Sequence, residues 1–351
     1  MRVLKCIVAV TLSACLLFLS VSCSVGKAEG KIKTDQFFAL STLFEQKVWG
    51  GTAFVAEEVA AFITQQELVC SHTNENSQLY ILNREKTMTV SGELERYLSY
   101  ANEVYELTEG KFDYALGNVI DLWEENFYSP PEKSDIEDAL KISGADKVSF
   151  GENKSVSTNG AKINLGGIAK GVAIGDALRK YTEADVTSAI ISCSSSVGVL
   201  GSKTDGSPFK IGIRDPNGDG GSYIATIELS NSILSTSGDY ERYFISDDGV
   251  RYHHILDSET GYPVNMGLRS VTVVAKINEG DDLSYIGALT DGLSTAIFAS
   301  GLNNGTVNML RSLSLEAVFV TDEAVYITSG LEGAVNVTDK GYTLQKAEVA
   351  R

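Results

Sequence analysis

Four short stretches in the middle of the chain, "FKIGIRD", "YIATIEL", "RYFIS" and "RYHHIL", alternate polar and apolar residues or run apolar, among turn signals such as Asp205-Gly206 and Asp248-Gly249. Successive side chains on a strand point to opposite faces, so this spacing commits the segment to short strands joined by turns. Such strands cannot bury their apolar face alone. The rest of the chain supplies covers: an amphipathic helix pattern "VAEEVAAFITQQELV" after a strand-like segment near Phe37 to Val48, and a second helix at about Gly92 to Glu109, ended by Gly110. Beyond the Pro130-Pro131 loop, Ser134 reads as the cap of the helix "SDIEDALKI", followed by the strands "KVSF", "SVST" and "SAIIS". Near the end, "SVTVVA" leads into a helix at about Asp282 to Ala299, a helix near Val307, and the strands "EAVFV" and "AVYIT". The mixture is an α+β protein with helices packed on largely antiparallel sheets.

At 351 residues the chain suffices for one elaborated domain or two closely packed ones, and no fixed-period repeat divides it. A net charge of −17 with no basic run excludes sequence-independent nucleic-acid binding. An acidic protein that handles a polyanion needs a cation or a local basic pocket.

The first residues, "MRVLKCIVAVTLSACLLFLSVSCSVGKAEG", have basic Arg2 and Lys5, an apolar run to about Val21, and small residues before Cys23. This is the pattern of an export signal, and Val21-Ser22-Cys23 resembles a bacterial lipoprotein box, with "LSAC" at Cys15 as the alternative. The reading is a signal over residues 1–22, a tether over 23–33 and one domain over 34–351, exported and lipid-anchored to a bacterial membrane through Cys23. Removing Arg2 and Lys5 takes the net charge from −17 to −19, and leaves only Cys70 and Cys193 in the body. Two cysteines without a local pattern indicate neither a disulfide framework nor a zinc site.

Several stretches carry chemistry. In "INLGGIAKGVAIGDALRKY" an apolar strand pattern passes through Gly166-Gly167 into a helix with Lys170 in its first turn. The first N–H groups of a helix lack internal partners, so this is either an anion seat or a tight turn with a solvated lysine. It is neither a P-loop nor a dinucleotide fingerprint. Asp291 and Thr295, four apart on "LTDGLSTAIFASG", share a helix face and offer the oxygen donors that Mg²⁺ prefers. Gly292 inside that helix points to close approach by another group. In "YHHILDSETGYP" at most one of His253 and His254 faces a site, as a proton shuttle or phosphate donor. "STSGDYERYF" gathers hydroxyls, Asp239 and Arg242, the last a phosphate fork or the partner of an acid.

The order "NLGGIAKG", "DGSPFKIGIRDP", "STSGDYERYF", "YHHILDSETGYP" and "SVTVVA" leading to "TDGLSTAIF" resembles that of the ApbE-type FAD:protein FMN transferases. "SHTNENSQLYILN" and "LTEGKFDYALGNVIDLW" are similar to that family's upstream segments. The resemblance covers nearly the whole chain after the signal and implies an ApbE-like, T-fold-related architecture. It implies Mg²⁺-dependent transfer of FMN from FAD to a Ser or Thr hydroxyl of a target protein, with AMP released. The target would belong to an exported redox system, such as an Nqr- or Rnf-type complex or an FMN-binding-domain protein. Asp291, Thr295 and the Ala169 carbonyl would hold the metal, and His254 and Lys170 would serve catalysis. Gly166, Gly167, Ser237, Gly238, Arg242 and, from the upstream segment, Ser71 would border the flavin nucleotide. Two alternatives stay open: a flavin-binding lipoprotein without transferase activity, and an FAD pyrophosphatase giving FMN and AMP. The chain departs from the family pattern at "AIISCSSSVGVLG", where serines replace an Asn and a Gly-Gly pair, and serine makes positive φ costly. Ser258 stands where proline is usual.

Overall fold

The chain opens on a hairpin, β1 (Lys33–Ala39) and β2 (Thr42–Gly50), where the sequence reads as a single strand. Leu40 and Ser41 both take positive φ, 50° and 58°, so the reversal is made without the Gly, Asn or Asp that such a turn favours. In the computed structural model, residues 32–348 are described apart from 127–128, 219–220 and 247–248. The export signal, Cys15, Cys23 and nearly all of the tether lie outside the described residues. Among the described residues no helix is long and apolar enough to cross a membrane.

Five helices and three short strands follow: α1 (Val55–Cys70), α2 (Gln78–Glu85), β3 (Thr87–Thr89), α3 (Gly92–Leu107), α4 (Gly117–Glu125), α5 (Lys133–Lys141), β4 (Ser149–Phe150) and β5 (Ser155–Ser157). Ser134 lies inside α5; the cap position is Glu132, whose side chain makes no capping bond. Next come α6 (Ala169–Glu183), β6 (Val186–Ser192), β7 (Ser196–Leu200), β8 (Phe209–Arg214), β9 (Tyr223–Leu229), β10 (Ser232–Gly238), β11 (Tyr243–Ile245), β12 (Arg251–His253) and β13 (Ser270–Lys276). The chain closes with α7 (Leu283–Ser300), α8 (Asn304–Ser312), β14 (Glu316–Val320), β15 (Ala324–Ile327), β16 (Val335–Val337) and β17 (Thr343–Lys346).

Nine strands form the main sheet in the order β1-β2-β6-β7-β10-β13-β14-β15-β17, antiparallel except for the parallel β15–β17 pair. Helices cover one face. Ile233 of β10 packs with α1 and α6 residues such as Ile63 and Ile174, while Val271 and Val273 of β13 meet Val104 of α3 and Leu293 of α7. On the other face Val199, Leu234 and Val318 pack against Phe209, Ile213 and Ile227 of a second sheet, β16-β9-β8. β10 therefore separates two layers with its two faces.

α6 and α7 meet at backbone distance. A Cβ on Gly171 would lie 2.0 Å from the Gly287 carbonyl oxygen, one on Gly287 1.9 Å from that of Gly171, and one on Gly175 2.0 Å from that of Leu283. Gly292 is answered the same way, since its added Cβ would sit 2.7 Å from Val104 Cγ1 of α3. Asp176 of α6, fully buried, fastens the helices polarly: it accepts from Arg96 of α3 at 3.2 and 2.9 Å and from Ser284 of α7 at 2.7 Å.

Candidate active site at the start of α6

The close helix contact brings the start of α6 against the middle of α7. The Gly171 N–H donates to Asp291 Oδ2 at 3.0 Å, so α7 supplies a carboxylate to the first turn of α6. Asp291 is 3 % exposed, and burial raises its pKa, opposed by the Lys170 charge and by the Gly171 bond. Its Oδ1 takes no hydrogen bond from the described residues. One turn along α7, Thr295 Oγ1 lies 3.1 Å from Ser237 Oγ of β10, which also meets Ser294 Oγ at 2.8 Å. The helix spacing thus places Asp291 and Thr295 toward one end of the α6–α7 crossing, with Ala169 as the first residue of α6.

The sequence leads one to expect a strand and then free N–H groups around Gly166-Gly167. Neither is present as expected. Residues 163–165 form no strand of a sheet. Most of the N–H groups there are engaged: Gly166 donates to Asn164 Oδ1 at 2.8 Å, Ile168 and Ala169 to the Leu165 carbonyl, and Gly171 to Asp291. Gly167 is small because the Phe112 ring lies 2.8 Å from where a Cβ would be. The positive charge here is that of Lys170, whose Nζ donates to the Gly166 carbonyl at 2.8 Å and whose field reaches Asp291, Cys193 and His254.

The two adjacent histidines separate cleanly. His253 has both ring nitrogens engaged, Nε2 with the Val264 carbonyl at 2.8 Å and Nδ1 accepting from the Ile255 N–H at 3.2 Å, so it is structural. His254 has only Nδ1 engaged, 3.3 Å from the Arg242 carbonyl. A carbonyl oxygen only accepts, so Nδ1 carries the proton and Nε2 keeps its lone pair. Burial, with the nearby Arg242 charge second, lowers the His254 pKa to about 3. The ring is neutral at neutral pH.

The remaining expected residues divide. Arg242 is largely exposed, with its guanidinium 3.8 Å from Glu124, the partner-of-an-acid reading, and only its carbonyl touches His254. Ser71 closes α1, its Oγ accepting from the Asn74 N–H at 3.0 Å. Gly238 is buried on the face of β10 opposite Ser237, and its absent Cβ leaves room for Tyr240, whose ring would be 2.7 Å away. The residues missed by sequence reasoning are Asn164 and His72. Asn164 orients the turn through Gly166 and lies with Nδ2 3.5 Å from His72 Nε2, which faces Arg242, Glu124, Lys162 and Asp121. Both stand within the motifs quoted above, and nothing in their spacing marks them out.

Among the described residues no three His, Cys, Asp or Glu side chains cluster as metal ligands. A cation at this crossing would instead rest on one carboxylate plus neutral hydroxyl and carbonyl oxygens, a hard donor set. The unengaged Oδ1 of Asp291 fits that role.

The sequence profile of the ApbE family matches residues 40–319. The chain belongs to the ApbE family. A curated relative from Treponema pallidum, named FAD:protein FMN transferase, is 27% identical over 93% of this chain and 96% of its own length. A Klebsiella pneumoniae protein of the same name is 28% identical over 84% of this chain and 92% of its own length. The crystal structure of the ApbE protein from Thermotoga maritima superposes with a TM-score of 0.73 at 32% identity, covering 88% of this chain and 97% of that one. The flavin transferase ApbE from Vibrio cholerae shares the fold at a TM-score of 0.74 and 21% identity.

Within this ApbE protein the serine-rich departure joins β6 to β7 as a tight turn, with the Cys193 N–H donating to the Ser196 carbonyl at 2.9 Å. None of residues 192–196 takes a positive φ. The serines therefore incur no backbone strain. Ser196 is instead tied into the interior, its Oγ accepting from Ser235 Oγ of β10 at 2.9 Å, and burial raises the pKa of the neighbouring Cys193 thiol to about 11, which keeps it protonated and inert.

Proposed function

We propose that this chain is an FAD:protein FMN transferase, which moves FMN from FAD to a Ser or Thr hydroxyl of an acceptor protein and releases AMP. The observation that carries the reading is the junction of α6 and α7 within an ApbE fold, where Asp291 bonds the start of α6 beside Lys170 with Thr295 one turn along, and where the Lys170 charge reaches His254, whose Nε2 is free. Asp291, Thr295 and the Ala169 carbonyl would hold Mg²⁺, which when bound supplies Lewis-acid stabilisation of phosphoryl and leaving-group charge.

The acceptor hydroxyl oxygen forms a bond to the phosphorus on the ribityl side of the diphosphate. The bond from that phosphorus to the bridging oxygen breaks, and AMP departs with the bridging oxygen. His254 Nε2 receives the hydroxyl proton. Its pKa is low without substrate because the ring is partly buried beside positive charge, and an arriving diphosphate raises it by adding negative charge nearby. Lys170, fixed by Gly166, contributes a positive potential that needs no rearrangement. Nδ1 remains bonded to the Arg242 carbonyl and fixes the tautomer throughout.

The same reading makes the protein exported and held at a bacterial membrane by lipidated Cys23, with its catalytic domain outside the cytoplasm. Its acceptor is a protein of an exported redox system, of the Nqr or Rnf type or carrying an FMN-binding domain. The test incubates the soluble body with FAD, Mg²⁺ and an acceptor fragment. Covalent fluorescent FMN on the fragment, with AMP released in equal amount, is the expected result. Free FMN and AMP without labelling would replace transfer by hydrolysis, and flavin binding without turnover would leave a binding protein.

A further inference from the structure

β12 ends at His253 and the chain bends at His254, the residue proposed to take the hydroxyl proton. The ring of His253 spans that bend. Its Nδ1 accepts from the Ile255 N–H at 3.2 Å, so a side chain and the peptide two residues on close a small ring around the His254 backbone. This is the arrangement of an Asx turn with an imidazole in place of the amide. It restrains the φ and ψ of His254, and with them the direction of its Cα–Cβ bond.

The same ring is tied to the body of the domain. Nε2 meets the Val264 carbonyl at 2.8 Å, and because a carbonyl only accepts, Nε2 carries the proton and Nδ1 is left as the acceptor that the Ile255 N–H requires. The Val264 N–H donates in turn to the Ile255 carbonyl at 3.1 Å, so both residues flanking His254 are fixed on Val264. The ring also meets Phe298 edge to face, with centroids 5.6 Å apart and planes at 83°. Phe298 lies three residues beyond Thr295 on α7 and so shares its face of the helix. Burial lowers the His253 pKa, which keeps the ring in the neutral form that its two hydrogen bonds need. The neighbouring rings thus hold opposite tautomers, Nε2–H in His253 and Nδ1–H in His254. We infer that His253 is a positioning residue for the transfer: it fixes the bend that aims His254 Nε2, and holds that bend against α7, the helix of Asp291 and Thr295. The inference rests on the transferase reading. Of the contacts that the ring makes, the bond to Ile255 is the one that encloses His254, so the aim depends on Nδ1.

Two substitutions separate the bond across the bend from the rest of the ring. His253→Asn puts an amide oxygen where Nδ1 lies and keeps an acceptor for the Ile255 N–H, whereas His253→Gln reaches the place of Nε2 and leaves that N–H without one. For both variants kcat, FAD affinity and thermal midpoint are measured, and the tautomers of the assigned histidines are read without ligand by long-range proton–nitrogen NMR. A positioned general base contributes about 10²–10⁴-fold, so His253→Gln should lower kcat by about tenfold or more and leave FAD affinity within about twofold, while His253→Asn keeps kcat within about threefold. The Nε2–H tautomer of His254 should appear in His253→Gln and stay absent in His253→Asn. Equal kcat in the two variants, or a kcat that follows the thermal midpoint with the His254 tautomer unchanged, overturns the inference, since that is a role in stability alone. The wild-type spectrum tests it whether or not the variants fold: His253 found as the Nδ1–H tautomer or as imidazolium also overturns it. Absence of FMN transfer by the wild type removes the functional reading, while the tautomers still decide whether His253 sets His254.

Discussion

Asp291 and His254 make opposite electrostatic demands on folding. Burial raises the Asp291 pKa above its ordinary 3.8, so the native state holds this proton more tightly than the unfolded chain, and stability falls as pH rises across that interval. At neutral pH the carboxylate is a cost that the proposed cation would offset. Asp291→Asn is therefore expected to keep or raise the thermal midpoint in chelator, to lose the upward shift that Mg²⁺ gives the wild type, and to abolish transfer. An undiminished Mg²⁺ shift would remove Asp291 from the metal site. For His254 the sign reverses. Its folded pKa of about 3 lies below the ordinary 6.5, so the unfolded chain binds the proton first and stability is lost as pH falls from 6.5 toward 3. His254→Gln should flatten the fall in the urea midpoint between pH 7 and pH 5; an identical slope would show that the ring is not the partly buried neutral group described. At this scale the sequence makes Asp291, Thr295 and His254 visible, because helix spacing and strand alternation set which side chains share a face. Asn164 and His72 are invisible, since a loop side chain is positioned by whatever packs around the loop.

The α6–α7 crossing sets how closely Asp291 approaches Gly171. An alanine at Gly171 would press its Cβ on the Gly287 carbonyl, and backbone in the middle of a packed helix cannot step aside as a side chain does. Gly171→Ala should cost about 3 kcal/mol or more in urea unfolding, at the upper end for overpacking. At Gly166 the nearest atom to an added Cβ is Asn164 Oδ1, at 3.0 Å, and the φ there is not positive, so Gly166→Ala should cost well under half as much. Equal losses would refute the close crossing. Gly292→Ala sits between them: the clash with Val104 is partly offset by the helix preference of alanine, about 1 kcal/mol. The long helices are legible in the sequence through periodicity and capping. β10 is not, because "SILSTSG" puts hydroxyls on both faces and so erases the polar–apolar alternation. Ser235 and Thr236 bond to Thr290 and Thr272 respectively, contacts that only the assembled sheet supplies.

The whole molecule is acidic, with a net charge of −17, yet the proposed site sets Lys170 beside the oxygens proposed to hold a hard cation. Ligand occupancy should thus register globally. FAD at ~100 times its Kd with Mg²⁺ is expected to stabilise the fold by about 2.7 kcal/mol, read as a rise in thermal midpoint, and FAD without divalent metal should give much less. Equal shifts with and without the metal would contradict a shared seat. The α+β class and the antiparallel majority of the sheet follow from strand spacing, whereas strand order depends on which faces fit. That order sets β10 with α7 on one side and the β16-β9-β8 sheet on the other. Each face of that strand belongs to a different layer, Ser237 meeting Thr295 of α7 and Leu234 packing with Ile213 of β8, so a side chain exchanged on either face of β10 is felt in both layers at once.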